Sequence, residues 1–244
     1  MSAVAIRRVL VALDFGDASR QALVAAGRLA ERAGARLRVV HAESPEAPVY
    51  FTHEQVEALA AQRARMEAQA KSYVEAFVRR HTTAAFTVAL EPQPAAEAIL
   101  HGLADADLGV MGTHGRHGPR RWWLGSVAER VLQSTPRPLL IVHEADRPAA
   151  MFDRIGVFAP LDGRGARAWD VATALAAPFG AAIDDHREDT VDPAAMHDPA
   201  SLVVISMPRP HDRHWLAAVG EPLVRAAAGP VLFVPDAEVS GGLS

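Results

Sequence analysis

A short apolar strand that stops at glycines and restarts as a helix constrains this chain more than any other feature. The strand is Leu108-Gly-Val-Met111; Gly112 and Gly115 follow, then Gly125-Ser126 after nine intervening residues, and then a helical stretch, Ser126-Val-Ala-Glu-Arg-Val-Leu132. Glycine admits positive φ and close approach by other backbone. A helix N-terminus offers unpaired N–H groups and a partial positive charge. Together they make a cradle suited to phosphate. Ser126 stands where its hydroxyl could cap the helix or donate to a phosphate oxygen. The spacing G-x2-G-x9-G-S is neither the Walker loop nor the dinucleotide fingerprint.

The rest of the chain supplies the scaffold such a loop needs. Arg8-Val-Leu-Val-Ala-Leu13 is a continuous apolar run, the pattern of a strand buried on both faces. After the loop Asp14-Phe-Gly-Asp17, residues 18–33 read as a helix that Gly34 stops, and Arg36 to His41 as the next strand. His53 to His81 carries Val56, Leu59, Met66, Ala70, Tyr73 and Phe77 at helical spacing, which predicts one long amphipathic helix. Phe86–Leu90, Leu108–Met111 and Leu139–Val142 read as strands, with helices expected over Pro94–Leu103 and Trp123–Ser134. Strand–helix alternation predicts an α/β fold with a parallel sheet covered on both faces, doubly wound by right-handed crossovers.

A second copy of this pattern follows residues 144–153, which read as a linker. Sliding the sequence so that Val9 meets Ile155 also brings Val11 to Val157, Leu29 to Leu175 and Gly34 to Gly180. A different slide brings Trp123 to Trp215, Glu129 to Glu221 and Val142 to Val234. The difference between the slides corresponds to the long helix, the third strand, the short helix and part of the glycine loop. Two domains are therefore expected, residues 1–146 and a shortened repeat over 153–237. In the repeat, Ala217 and Ala218 replace Gly125 and Ser126, and the loop Pro208-Arg-Pro-His-Asp-Arg213 has no glycine. Such a loop cannot make the same close approach, so the second domain is expected to be structural.

These motifs resemble the universal stress protein family: the opening strand ending at Asp14, the strand ending His41-Ala42, the glycine loop, and Gly125-Ser-Val-Ala-Glu-Arg-Val-Leu132. The likeness covers residues 5–143 and, more weakly, 154–235. It implies a Rossmann-like, adenine nucleotide alpha hydrolase-like sheet of order 3-2-1-4-5, with ATP across the carboxyl ends of the strands. Carried over by residue, Leu13 and Asp14 would face the adenosine and Ala42 would offer backbone contacts to adenine. Met111, Gly112, His114 and Gly115 would run along ribose and phosphates, and Gly125, Ser126 and Val127 would close on the phosphate tail. Arg116, Arg120 and Arg121 lie in the insert and could neutralise charge. Mg²⁺ would accompany the ATP rather than occupy a protein cage.

Each residue also has a plainer reading. Asp14 could cap the next helix, the glycines could serve only a turn, and Trp122, Trp123 and Trp215 suit a core or interface. His211 and His214, with His197 and Asp198, have metal-ligand spacing in part, but a solvated acidic loop accounts for them and no metal site is expected. No cysteine is present, and net charge is −4, which excludes disulfides and argues against nucleic-acid binding. No apolar run is long enough to span a membrane, and a cytoplasmic stress-response protein is the expectation. Three functions stay open: an ATP-binding regulator, a dimerisation or interaction protein that binds no nucleotide, and a slow ATPase. Dedicated catalysis lacks support, because neither His114 nor His117 comes with a recognisable partner. The last strands, Leu139–Val142 and Val231–Val234, are apolar throughout and belong at sheet edges. They are expected to meet edge to edge, as an intramolecular pseudo-dimer; a homodimer of whole chains is compatible with this.

Overall fold

The computed structural model describes residues 4–43, 53–113, 124–159, 165–186, 201–207, 224, 227 and 229–236, with 53–63 and 201 described by backbone alone. The strands form one nine-stranded sheet of order β3-β2-β1-β4-β5-β9-β8-β6-β7. Its first part is β1 (Arg8–Ala12), β2 (Arg36–Ala42), β3 (Phe86–Glu91), β4 (Leu108–Thr113) and β5 (Leu139–His143). All are parallel, in the expected order 3-2-1-4-5. The helices α1 (Asp17–Ala33), α2 (His53–Arg79), α3 (Ala95–Ala104) and α4 (Ser126–Ser134) make the crossovers. The second part contains β6 (Arg154–Phe158), α5 (Ala166–Ala176), β7 (Ala182–Asp185), β8 (Ser201–Met207) and β9 (Val231–Pro235).

Local chemistry sets the ends of these elements. Gly34 closes α1 with φ of 64°, and its N–H bonds to the Ala30 carbonyl. Gly180 repeats the device after α5 and its short 3-10 extension, with φ of 63°. Only a residue without Cβ adopts this turn without strain. Pro94 is the N-cap of α3 rather than its first helical residue. Two caps that the sequence left open are not formed. The N-cap of α4 is Gly125, so Ser126 is the first helical residue and its hydroxyl caps nothing. The N-cap of α1 is Gly16, because the Asp14 carboxylate instead closes an Asx turn on the Gly16 N–H at 2.9 Å.

β6 stands between β7 and β8, both parallel to it, as β1 stands between β2 and β4. No described strand in the second part takes the place of β3. The two parts join where β5 and β9 pair antiparallel, with Leu139 opposite Phe233, Leu140 opposite Leu232 and Ile141 opposite Val231. The expected edge-to-edge meeting is therefore a continuous ladder, and neither apolar strand is left exposed. The Arg167 guanidinium ties the same seam, donating to the Pro136 carbonyl at 3.3 Å and the Pro235 carbonyl at 3.0 Å. Burial, with the nearby Arg137 charge, lowers its pKa from the usual arginine value, against the pull of Asp236.

Two apolar layers flank the sheet, and each crosses the seam. One packs Val9, Val11, Leu23, Leu29 and Val39 together with Ile155, Val171 and Leu175. The other packs Leu10, Ile99, Val131 and Ile141 together with Val203, Phe233 and Val231. The stretch 144–153 is more than a solvated linker. Met151 and Phe152 are buried, Phe152 stacks on Phe179 at 4.5 Å, and Asp146 is fully enclosed. The Asp146 carboxylate accepts the backbone N–H of His143 at 2.6 Å, with the His143 ring 3.4 Å away. Among the described residues, no helix is long and apolar enough to cross a membrane.

Candidate functional site

In a sheet of this order the chain leaves β1 toward one side and β4 toward the other, so the loops beyond their carboxyl ends diverge and leave a crevice. β1 and β4 are neighbours here, Val9 against Leu108 and Val11 against Val110. A cleft of ≈ 280 Å³ opens beyond them. Leu13 and Asp14 come to it from β1, Ala42 from β2, Met111 and Gly112 from β4, and Gly125, Ser126 and Val127 from the start of α4. Eight residues singled out in the sequence thus line one cleft. His114 and Gly115, the other two, lie outside the described residues, as do Arg116, His117, Arg120, Arg121, Trp122 and Trp123.

Of the two properties glycine brings, close approach and positive φ, the described glycines of the motif use the first. Among the described residues, Gly34 and Gly180 are the glycines with positive φ; Gly125 has φ of −56°. Gly112 is required for closeness, since a Cβ there would collide with the backbone of Ala18 and Ser19 at the start of α1. Among the described residues, nothing lies within 4 Å of the place a Gly125 Cβ would occupy. One glycine lets the scaffold close; the other keeps open the space above α4.

That space faces backbone donors. The first helical bond of α4 runs from Glu129 N to the Gly125 carbonyl at 2.9 Å, so the N–H groups of residues 126–128 precede the helical ladder. Among the described residues, no side-chain cap hydrogen bond closes this end. Thr113, a buried residue that the sequence reading passed over, fixes the approach: its Oγ1 accepts the Gly125 N–H at 3.4 Å across the cleft floor. Its position inside the glycine motif was the available signal. Ser19, Ile99 and His41 also line the cleft without having been singled out. The His41 Nδ1 meets the Leu13 carbonyl at 2.7 Å. A carbonyl only accepts, so this nitrogen carries the proton and fixes the tautomer. Among the described lining residues no lysine or arginine is present, and the donors they offer an anion are the backbone N–H groups at the start of α4, with the helix dipole behind them.

A larger pocket, of ≈ 500 Å³, lies at the opposite ends of the strands beside Arg8, Arg36 and Arg38. Arg8 is paired with Asp107 at 3.2 Å and Arg38 with Glu91 at 3.3 Å. Two of its three cations are thereby neutralised, and no helix N-terminus opens into it. The smaller cleft has the better chemistry. No group of three or more His, Asp or Glu side chains converges as metal ligands among the described residues; His197, His211 and His214 lie outside them.

The profile of the universal stress protein family matches residues 5–143, more than half of the chain. The chain belongs to the universal stress protein family. A universal stress protein of Thermus aquaticus is 35% identical over 139 residues, which are 56% of this chain and 98% of that protein. The fold extends further than that alignment. A universal stress protein structure from Archaeoglobus fulgidus superposes with a TM-score of 0.68 at 15% identity, covering 93% of this chain and 98% of that one. A Pseudomonas aeruginosa protein of unknown function superposes with a TM-score of 0.59 at 15% identity, covering 95% and 93% of the two chains. At such identities the likeness is one of fold, and it spans both parts of the sheet.

Proposed function

We propose that this universal stress protein binds one adenine nucleotide per chain, ATP with Mg²⁺, in the cleft between β1 and β4, and acts through its nucleotide state in a stress response. The observation that carries the reading is the convergence of Leu13, Asp14, Ala42, Met111, Gly112, Gly125, Ser126 and Val127 on one crevice beside an uncapped helix start. The phosphates would lie over the N–H groups of residues 126–128, and the space left open at Gly125 suits them. Asp14 keeps one carboxylate oxygen on Gly16; the other is available to a ribose or base donor. The reading is of a binder rather than a dedicated ATPase, since neither His114 nor His117 comes with a partner recognisable in the sequence.

The chain divides, on this reading, into a nucleotide-binding domain over residues 1–146 and a shortened domain over 153–237 that has lost the site. A specific feature supports the loss. Ala12 and Val40, opposite one another in the sheet, line the cleft of the first part. One step beyond the Val157–Asp185 pair of the second part, Phe158 and His186 stack at 4.6 Å with planes 6° apart. Two rings fill the place where the first part leaves room. Calorimetry with ATP and Mg²⁺ tests the proposal: one site per chain is expected, and either two sites or no binding removes it.

A further inference from the structure

Phe15 stands between the cleft and the long helix α2, in a conformation that a bulky residue does not adopt unaided. Its φ is 65°, and among the described residues no other non-glycine has a positive value. Such a backbone persists only where its surroundings over-determine it. Here they do so from both sides. Behind it, Asp14 closes its turn on the Gly16 N–H, and Ser19 Oγ meets the Asp14 N–H at 3.3 Å while donating to the Gly16 carbonyl at 3.0 Å. In front, the Phe15 ring lies 5.2 Å from Phe77, edge to face, and 5.3 Å from Tyr73, both on α2. It also meets the His41 ring at 4.9 Å, and His41 returns to the same loop by donating to the Leu13 carbonyl. The residues immediately before Phe15, Leu13 and Asp14, line the cleft.

We infer that Phe15 is a positioning residue: its ring, clamped by Tyr73, Phe77 and His41, holds the β1–α1 loop so that Leu13 and Asp14 face the nucleotide, and thereby links cleft occupancy to α2. This rests on the nucleotide reading for its ligand, but the clamp itself does not. A ligand that holds the loop from the cleft side opposes escape of the ring from α2. The reverse also holds, since coupling between two sites is reciprocal. Tyr73 is largely exposed despite its contact with Phe15, so the end of the relay is at the surface of the helix.

Three chains decide this: the native protein, Phe15→Asn, which adopts positive φ readily but has no ring, and Phe15→Tyr, which keeps the ring. Hydrogen exchange without nucleotide should show the amides of residues 13–16 exchanging faster in Phe15→Asn and at the native rate in Phe15→Tyr. With ATP and Mg²⁺, protection should spread to residues 70–79 in the native chain and Phe15→Tyr and stop short of α2 in Phe15→Asn. Affinity in Phe15→Asn should drop about tenfold or more, the scale of a loop released from a strained conformation. Native exchange of residues 13–16 in a folded Phe15→Asn overturns the inference. So does ATP binding that protects α2 equally in all three. If the native chain binds no ATP, the proposed function falls, and the exchange of residues 13–16 still decides the clamp.

Discussion

Gly112 at the end of β4 lies against the backbone of Ala18 in the first turn of α1, with no room for a methyl group between them. The contact sets how closely the helix after β1 approaches the strand that carries the glycine loop. It therefore fixes the width of the crevice. Gly112→Ala should destabilise the protein by about 1–3 kcal/mol, the usual cost of overpacking, and lower the melting temperature even without ligand. An unchanged thermal unfolding midpoint would show that α1 yields freely.

Gly125 predicts the opposite balance. Its φ suits any residue, and a Cβ there meets nothing among the described residues. Gly125→Val should fold, losing only about 1 kcal/mol for an unfavourable N-cap. Nucleotide affinity should fall steeply, because the branched side chain enters the space above the α4 donors. Calorimetry and thermal melts on the same sample separate the two effects. A folded Gly125→Val with native affinity would move the phosphates away from α4.

The seam between β5 and β9 is made of side chains with no exposure to spare. Phe233 and Ile141 are both fully buried. Truncating Phe233 to alanine should cost about 3–5 kcal/mol. Ile141→Lys places an unpaired charge in the same layer and should cost several kcal/mol or more. Separation of the two parts would expose the packed stretch 144–153, where Met151 and Phe152 are buried. Limited proteolysis should therefore cut Ile141→Lys near this stretch; a variant as resistant as the native chain would argue that the seam contributes little.

Asp107 links stability to acid. Burial acts to raise its pKa, but the backbone N–H groups of Arg7 and Arg8 and the Arg8 guanidinium outweigh it and hold the carboxyl below its ordinary value. A folded-state pKa below the unfolded one contributes stability above the unfolded value and loses it as pH falls through the folded one. Asp107→Ala should thus be less stable than the native chain at neutral pH, by about 1 kcal/mol. The difference should shrink in acid, below the ordinary aspartate range. Denaturant titrations across that range check it; a pH-independent difference would assign the effect to packing.

The alternation of strands and helices was legible from short-range patterns, and the strand order and the set of crevice residues from the resemblance to the universal stress protein family. Arg8 to Leu13 reads as a buried strand from its unbroken apolar run, and Gly34 marks a helix end by itself. The internal repeat was legible from Ile155, Val157 and Gly180 for the same reason. The caps were not. Ser126 looked like a cap or a phosphate donor and Asp14 like a cap or an acceptor. Neither caps a helix: Ser126 is the first helical residue of α4, and Asp14 closes an Asx turn on Gly16. The stretch 144–153 read as a linker, yet Phe152 found Phe179 and the stretch packed down.

What the sequence determined by itself is the alternation of strands and helices, the parallel direction that follows from it, and the glycine-marked place along the chain where a strand gives way to a helix. Those depend on periodicity, chain direction and handedness, which act between near neighbours. The tertiary structure decided which atoms meet in the cleft. Gly112 serves contact rather than torsion because Ala18 arrives from a different element. Thr113 holds Gly125 because β4 ends and α4 begins on the same floor. Phe15 accepts a strained backbone because Tyr73 and Phe77, far along the chain, clamp its ring. Close packing selects these contacts among many that local pattern permits equally, and only the folded chain brings their partners within reach.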